Sequence, residues 1–319
     1  MTDLRPIIII AGPTASGKTA LALDVAAEFN GTVINADSMQ VYRELRLLSA
    51  RPGPEDEARA PHKLFGVMPA SEVCSVGRWT AMATVEIEAA WVTSRLPLIV
   101  GGTGMYIRAL TQGLAAIPDI PGAINDEVRA RLDEIGGEAF RAELAALDPV
   151  AAERLPAGDS QRLTRAMAVV KATGKTLAVW QDEQAQGPAV AAQFLTIALT
   201  PDRGALYAAC EARFDAMVAG GAIDEVTALQ ALGLDAALPA MKALGVPELA
   251  RYVTGETSLE DATAAAKQAT RNFAKRQLTW LRNQVTADQV IEDFYGPAYK
   301  EQVAATLRAF LAKATPQPD

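Results

Sequence analysis

The sequence predicts an α/β protein in which a parallel β-sheet is flanked by helices and carries a helical insertion. Three observations support this fold class. A β-branched strand at residues 7–11 runs directly into a glycine-bounded loop and a helix. Further apolar strands at residues 32–36 and 96–100 alternate with helical segments, as the crossovers of a parallel sheet require. Between about residues 113 and 190, strand signals give way to segments rich in Ala, Leu, Arg and Glu.

The composition is that of a globular protein with a substantial core. Hydrophobic residues make up 50% and charged residues 21% of the 319, and the formal net charge is −8. So acidic a chain is not a non-specific nucleic-acid coat protein, although a local basic face is compatible with it. No apolar run reaches the length of a membrane-spanning helix, and the N-terminus does not read as a signal peptide, so we expect a cytoplasmic protein.

The cysteines and the histidine limit the kinds of metal and catalytic site that the chain can form. Cys74 and Cys210 lie far apart without metal-ligand spacing, and His62 is the single histidine. A Cys/His metal site is therefore disfavoured, and a Ser-His-Asp mechanism would need His62 as its base.

Residues 12–19 form the strongest motif. They read Gly12-Pro13-Thr14-Ala15-Ser16-Gly17-Lys18-Thr19 and match G-x-x-x-x-G-K-[ST] at every fixed position, between a strand and a helix. Backbone N–H groups in such a loop and the helix N-terminus attract phosphate, and Lys18 adds a full charge. The Thr19 hydroxyl is placed to bind Mg²⁺. The motif predicts a di- or triphosphate site in a P-loop NTPase-like sheet.

Two more polar segments follow predicted strands. Asp37-Ser38-Met39-Gln40 comes after the second strand, at the carboxyl edge where open α/β sheets bind ligands. Asp37 there suits Mg²⁺ binding or general-base work, with a helix N-cap as the alternative. The third strand runs into Gly101-Gly102-Thr103-Gly104, whose glycines would let the backbone approach a ligand closely.

Basic residues recur on later predicted helices. Arg162 and Arg165 share one helix face, and Arg213 follows the strand at residues 194–199 as a phosphate-clamp candidate. In the helix from about residue 259 to 283, one face is basic and the opposite face carries aromatic side chains. The basic residues are Lys267, Arg271, Lys275 and Arg282, and the aromatic ones are Phe273 and Trp280. This pattern predicts aromatic residues in the core and an outward stripe for a polyanion, with solvated surface charge as the alternative.

Five separated motifs together resemble one family, the tRNA dimethylallyltransferases, over nearly the whole chain and in the right order. The motifs are the P-loop, Asp37-Ser38-Met39-Gln40-Val41-Tyr42, Gly101-Gly102-Thr103-Gly104-Met105-Tyr106, Asp159-Ser160-Gln161-Arg162-Leu163-Thr164-Arg165-Ala166 and Lys275-Arg276-Gln277-Leu278-Thr279-Trp280-Leu281-Arg282. The resemblance implies transfer of a dimethylallyl group from dimethylallyl diphosphate to N6 of an adenosine next to the anticodon, with release of diphosphate.

The resemblance also implies residue roles. Asp37 accepts the amine proton, while the P-loop, Lys18, Thr19 with Mg²⁺, and Arg213 stabilise the leaving diphosphate. The target base must leave its stack to react. The implied tRNA-binding residues are Asp37, Ser38, Met39, Gln40, Thr103, Arg129, Gln161, Arg162, Leu163, Thr164, Arg165, Lys275, Arg276, Gln277 and Arg282. The expected partners are the tRNA anticodon stem-loop and dimethylallyl diphosphate, without a membrane, and the protein is expected to be a monomer.

The expected domains are a P-loop catalytic core with C-terminal tRNA-binding helices, residues 1–112 and 191–319, and a helical insertion that contacts tRNA, residues 113–190. Two segments depart from the family pattern. Leu244-Gly245-Val246-Pro247-Glu248 stands where Gly-Tyr-Arg-Gln is frequent, and Leu48-Ser49-Ala50-Arg51-Pro52 where Gly-Thr-Ala-Lys-Pro is usual.

Two other functions fit part of the sequence. An ATP-dependent small-molecule kinase would use the P-loop and Asp37 but has no need of the basic helices. A non-catalytic RNA-binding module would leave the complete P-loop without a purpose.

Overall fold

A parallel sheet organises the computed structural model, which describes residues 4–183 and 187–314. In that part of the chain, six strands lie in the order β3-β2-β4-β1-β5-β6, and every neighbouring pair is parallel. The strands are β1 (Arg5–Ala11), β2 (Gly31–Asn35), β3 (His62–Lys63), β4 (Leu96–Gly101), β5 (Ala192–Leu199) and β6 (Gln289–Ile291). The predicted α/β fold class is confirmed.

Helices connect the strands and continue beyond them. Their bounds are α1 (Lys18–Glu28), α2 (Pro54–Arg59), α3 (Val76–Val92), α4 (Gly104–Gln112), α5 (Gly122–Ala145), α6 (Pro149–Arg154), α7 (Ser160–Thr173), α8 (Leu177–Glu183), α9 (Arg203–Ala219), α10 (Ala222–Ala231), α11 (Val246–Val253), α12 (Leu259–Gln284) and α13 (Lys300–Ala314). None of the helices in the described ranges combines the length and apolar character needed to cross a bilayer.

The isoleucine run of β1 is the centre of the core. Ile7 and Ile9 pack with α3 and α11 on one face of the sheet, and Ile8 and Ile10 pack with α1 and α13 on the other. All four are fully buried. A strand covered on both faces has no polar side, which is why its sequence is continuously apolar rather than alternating.

The chain divides into two compact units. The first contains residues 1–111 and 190–319 and holds the sheet, and the second contains residues 112–189. The second unit has its own core on α5 and α7, with Val128, Phe140, Leu144 and Leu163 buried. The sequence predicts separate helices over about residues 123–134 and 138–147, and α5 covers both with an interruption at Gly136.

Several short elements were not predicted from the sequence. The Pro-rich, weakly patterned sequence of residues 49–72 predicts irregular structure, but this stretch contains α2 and β3, and β6 lies where no strand was predicted. Elements of two to six residues are too short to show a hydrophobic period, and tertiary pairing such as Ile197 with Gln289 forms them. The sequence predicts a frayed tail over residues 312–319. The chain is helical as far as Ala314, and residues 315–319 lie outside the described part.

Candidate active site

The P-loop lies between β1 and α1 and is held by its own side chains. The Ser16 hydroxyl, fully buried, donates to the Pro13 carbonyl at 2.9 Å, and Lys18 Nζ donates to the same oxygen at 2.7 Å. Burial lowers the pKa of Lys18 to about 8, an effect that nearby Asp37 opposes and nearby Arg213 reinforces. Lys18 is therefore a partly desolvated cation with a hydrogen bond that an anion can compete for.

Arg213 brings a second cation to the loop. It lies on α9, and its Nη2 donates to Thr14 Oγ1. Burial lowers the pKa of Arg213, yet a guanidinium remains protonated in a protein. Arg213 and Lys18 both border one cavity with the P-loop residues, so two positive charges face the space that the motif assigns to phosphate.

Asp37 lies just beyond the carboxyl end of β2. Its backbone N–H donates to Asn35 Oδ1 at 2.7 Å, while Asn35 Nδ2 donates to the Asp37 carbonyl at 2.9 Å. Asp37 Oδ1 in turn accepts the Met39 N–H at 2.9 Å. The carboxylate thus closes a turn and caps no helix, so the N-cap alternative is wrong.

Two cavities of the first unit meet at Asp37. One, of about 440 Å³, is bounded by the P-loop, and the other, of about 250 Å³, is bounded partly by residues of α9 and α12. Their linings share Thr14, Asp37, Ser49 and Arg213. A carboxylate and a cation therefore lie where a phosphate-binding space adjoins a second space.

The second cavity has an apolar lining with cations beside it. Its apolar side chains are Met39, Leu48, Phe214, Met217, Leu244 and Phe273, and its lysine and further arginine are Lys242 and Arg276. Such a lining suits a prenyl chain or a planar base attached to an anionic backbone.

The glycines after β4 leave space for side chains of α12. A Cβ on Gly102 would lie 2.2 Å from Gln277 Nε2, and one on Gly104 would lie 2.2 Å from the Trp280 ring. The close approach expected here for a ligand is made instead by side chains of α12.

The faces of α12 differ from the prediction. Its buried residues are Ala262, Ala266, Thr270, Ala274, Gln277, Leu278 and Leu281. Phe273 and Trp280 are only half-buried, so the aromatic residues do not form the core face. Lys267 pairs with Asp215 at 2.7 Å and Arg271 pairs with Glu211, which commits half of the predicted basic stripe to α9.

The predicted tRNA contacts on α12 differ in how exposed their side chains are. Lys275, Arg276 and Arg282 are exposed. Gln277 is only 6% exposed and its side chain bonds to backbone atoms of two loops, so its contact with tRNA stays a prediction.

Ser38, Met39, Gln40 and Thr103 are half-buried around Asp37. Thr103 Oγ1 accepts the Ser38 N–H at 2.9 Å, and Gln40 Nε2 donates to the carbonyls of Ser49 and Ala50. These bonds hold the Asp37 turn against two neighbouring loops.

In the second unit, Arg129, Gln161, Arg162 and Arg165 are exposed. The last three also line a cavity of about 510 Å³ within that unit. Leu163 is fully buried in the unit's core, and its predicted contact with tRNA stays a prediction. The Thr164 hydroxyl donates to the Ser160 carbonyl at 2.8 Å.

Sequence reasoning missed several residues of the cavities. His62 and Phe65 line the first cavity, and Lys242 and Leu244 line the second. Leu244 belongs to the segment that departs from the family pattern, where Glu248 Oε2 caps α11 by accepting the Gly245 N–H at 3.1 Å. Nothing in the local sequence of these residues marks them as lining residues, because distant segments bring them together.

Comparison with known proteins gives one consistent result. The family profile for IPP transferase matches residues 40–284, and that for isopentenyl transferase matches residues 5–61. A tRNA dimethylallyltransferase of Paramagnetospirillum magneticum is 55% identical over 282 residues, covering 88% of this chain and 89% of that protein. The protein of that name from Rhodospirillum centenum is 53% identical over 287 residues, covering 90% and 91%.

Solved structures agree with the sequence comparisons. A tRNA isopentenylpyrophosphate transferase of Bacillus halodurans is similar with a TM-score of 0.71 at 30% identity, covering 97% of each chain. A eukaryotic dimethylallyltransferase acting on tRNA shares the fold with a TM-score of 0.81 at 23% identity, covering 99% of this chain and 81% of that one. A family profile over most of the chain, together with relatives more than half identical over nearly their full length, shows that this protein belongs to the tRNA dimethylallyltransferase family of IPP transferases.

Proposed function

We propose that the protein transfers a dimethylallyl group from dimethylallyl diphosphate to N6 of an adenosine next to the anticodon of tRNA. The observation that carries this proposal is the junction of two cavities at Asp37 and Arg213. In this proposal the donor diphosphate occupies the P-loop cavity, and the adenine enters the second one. The prenyl carbon and the amine then meet beside a carboxylate.

Asp37 is the proposed proton acceptor. The N6 nitrogen attacks C1 of the prenyl group, the N–C bond forms, and the bond from C1 to the diphosphate oxygen breaks with its electron pair leaving on oxygen. The surplus N6 proton passes to Asp37. Its Oδ1 already accepts the Met39 N–H, so the orientation of the carboxylate is set before the substrate arrives.

The leaving diphosphate gains negative charge as the C–O bond breaks. Lys18, Arg213 and the backbone of the P-loop border the same cavity. Because these groups are positioned in advance and partly desolvated, they favour the product-like charge distribution at little reorganisation cost. Their burial in turn destabilises them in the absence of an anion, which favours diphosphate binding.

Mg²⁺ fits the residues of the P-loop cavity. In the described residues there is no group of three or more His, Cys, Asp or Glu able to cage a metal ion. Mg²⁺ typically binds to one or two protein oxygens together with phosphate and water. The Thr19 hydroxyl, on the cavity wall, is the proposed protein ligand. Mg²⁺ bound there would neutralise charge on the diphosphate.

The proposed RNA contacts are exposed cations and polar groups of both units. Arg129, Gln161, Arg162, Thr164 and Arg165 belong to the second unit, and Lys275, Arg276 and Arg282 belong to the first. Met39, Ser38, Gln40 and Thr103 surround Asp37 and are the proposed contacts of the extruded base.

We also propose a cytoplasmic monomer, because tRNA is the acceptor and a single unit of one chain carries all the catalytic groups. Light scattering on the purified protein should give a mass near 33.7 kDa. A stable dimer would refute the monomer.

A transfer assay tests the function. The protein, Mg²⁺, labelled dimethylallyl diphosphate and an anticodon stem-loop with an adenosine after the anticodon should yield labelled RNA and free diphosphate. The matched control is the same stem-loop with guanosine at that position, which lacks the N6 amine and should stay unlabelled. A folded protein that leaves both RNAs unlabelled, but transfers phosphate from ATP, would replace this proposal with the kinase.

A further inference from the structure

Gln277 occupies an unusual place for a polar residue of α12. It is 6% exposed, its Oε1 accepts the Thr14 N–H at 2.8 Å, and its Nε2 donates to the Gly102 carbonyl at 3.2 Å. Because the two ends of the amide bond to different loops, the side chain has one fixed orientation. It connects the P-loop after β1 with the loop after β4.

Each of these loops holds a group of the candidate active site. On one side, the Thr14 hydroxyl accepts from Arg213. On the other, Thr103 follows Gly102 and accepts the Ser38 N–H at 2.9 Å, next to Asp37. The Gln277 amide therefore connects the loop whose Thr14 binds Arg213 with the loop whose Thr103 binds the Asp37 turn.

The contact with Gly102 leaves no spare room. A Cβ on Gly102 would lie 2.2 Å from Gln277 Nε2 and 2.9 Å from the Gly12 carbonyl oxygen. Only glycine lets α12 place an amide against both loops, so the glycine after β4 and Gln277 form one packing unit.

We infer that Gln277 is a positioning residue of the transfer reaction, which sets Thr14 and Arg213 relative to Asp37, and that it is not a contact of the RNA. This inference rests on the proposed function. The prenyl carbon lies between the leaving diphosphate and the attacking amine, so an error in the spacing of their protein partners lowers the rate directly.

Gln277→Met tests the inference, since methionine matches the length of glutamine but makes neither hydrogen bond. Three quantities are measured: the Kd of inorganic pyrophosphate with Mg²⁺ present, kcat and KM for dimethylallyl transfer, and the Kd of an anticodon stem-loop. We expect pyrophosphate to bind about fivefold more weakly, as for the loss of one or two neutral hydrogen bonds. We expect kcat to fall roughly tenfold or more, with stem-loop affinity unchanged.

Gln302→Met on the exposed face of α13 is the matched control and should change none of the three quantities. A loss of stem-loop affinity alone would make Gln277 an RNA contact and overturn the inference. Unchanged pyrophosphate affinity and kcat would overturn it too, as would an equal loss of all three together with a large fall in Tm, which indicates a packing role.

Gly102→Ala is the second variant, because its Cβ displaces Gln277 without altering α12. Gly102→Ala should also weaken pyrophosphate binding and lower kcat. Its combination with Gln277→Met should be no worse than either variant alone. Additive effects would count against a shared contact. The pyrophosphate comparison does not need turnover: a wild-type protein that binds pyrophosphate without transferring label would refute the proposed function, whereas weaker pyrophosphate binding by Gln277→Met would still show that Gln277 supports the P-loop.

Discussion

The Asp37 carboxylate offers a direct test at the scale of one residue. Asparagine keeps Oδ1 as an acceptor for the Met39 N–H, so Asp37→Asn preserves the turn while removing the basic oxygen. We expect kcat to fall by about 10²- to 10⁴-fold, the usual contribution of a general base, with stem-loop affinity retained. Single-turnover transfer and RNA binding measure the two quantities.

Asp224→Asn on the exposed start of α10 is the control for the same charge change away from the cavities. Wild-type turnover in Asp37→Asn would remove Asp37 as the proton acceptor. A parallel loss of RNA affinity would instead indicate that the turn from Asp37 to Met39 had changed shape.

Lys18 links stability to pH. Its pKa, about 8 in the folded protein, lies below the ordinary value of 10.5. The unfolded chain thus binds more protons between those values, and stability rises with pH across that window. Lys18→Met removes the charge, so we expect a Tm a few degrees higher at pH 7 and a difference that shrinks toward pH 10, with transfer lost throughout.

Thermal unfolding of both proteins at pH 7 and pH 10 measures this effect. A variant less stable at pH 7, or a difference independent of pH, would show that the Lys18 side chain stabilises the free protein through its bond to the Pro13 carbonyl.

Residues of the candidate site could be predicted from the sequence where the local pattern determines their place in the fold. The P-loop and Asp37 follow strands directly, and chain connectivity alone brings them to one edge of the sheet. The burial of Gln277 between two loops was not predicted, because helical periodicity says which residues share a face but not what that face contacts. The burial of Leu163 was not predicted, because a motif names consecutive residues, of which at least one must face the core of a packed helix.

At the scale of elements, α7 carries two of the proposed phosphate contacts of the second unit. Arg162 and Arg165 are exposed, and Arg162 approaches Asp159 at 3.4 Å, a weak surface pair that RNA can replace. For Arg162→Ala with Arg165→Ala we expect weaker stem-loop binding and a salt dependence shallower by about 1.5 in log–log slope. Filter binding over a range of salt concentrations gives both values.

Arg251→Ala with Arg308→Ala removes the same charge from helices of the first unit and should leave the slope unchanged. An unaltered slope in the α7 variant would exclude Arg162 and Arg165 from contact with phosphates. An equal change of the slope in both double variants would show that the effect comes from the net charge of the protein and not from contacts of Arg162 and Arg165.

Long elements were predicted within a few residues, and short ones were not. The central strand β1 and the helix α12 have enough residues for their patterns to be read. The orientation of α12 was predicted less well, because its buried face is built from Ala and Thr rather than from its aromatic residues. Small side chains let the helix approach α9, and ion pairs to Glu211 and Asp215 then hold it there.

At the scale of the whole molecule, the two units have separate cores. The described residues of the second unit pack around Phe140 and Leu144, whereas Leu110 and Val190, which flank the insertion, belong to the core beside the sheet. Both ends of the excision therefore return to the same core, and a flexible linker can join them at a modest entropic cost. The first unit should fold without residues 112–189.

Replacing residues 112–189 by a Gly/Ser linker of about eight residues tests this independence. We expect one cooperative unfolding transition and pyrophosphate affinity close to that of the full chain, because the P-loop, Lys18 and Arg213 all remain. Stem-loop affinity should fall by more than about tenfold, since the phosphate contacts of the second unit are lost. Retained RNA affinity would place recognition on Lys275, Arg276 and Arg282 alone, and loss of pyrophosphate binding would show that the donor site depends on the insertion.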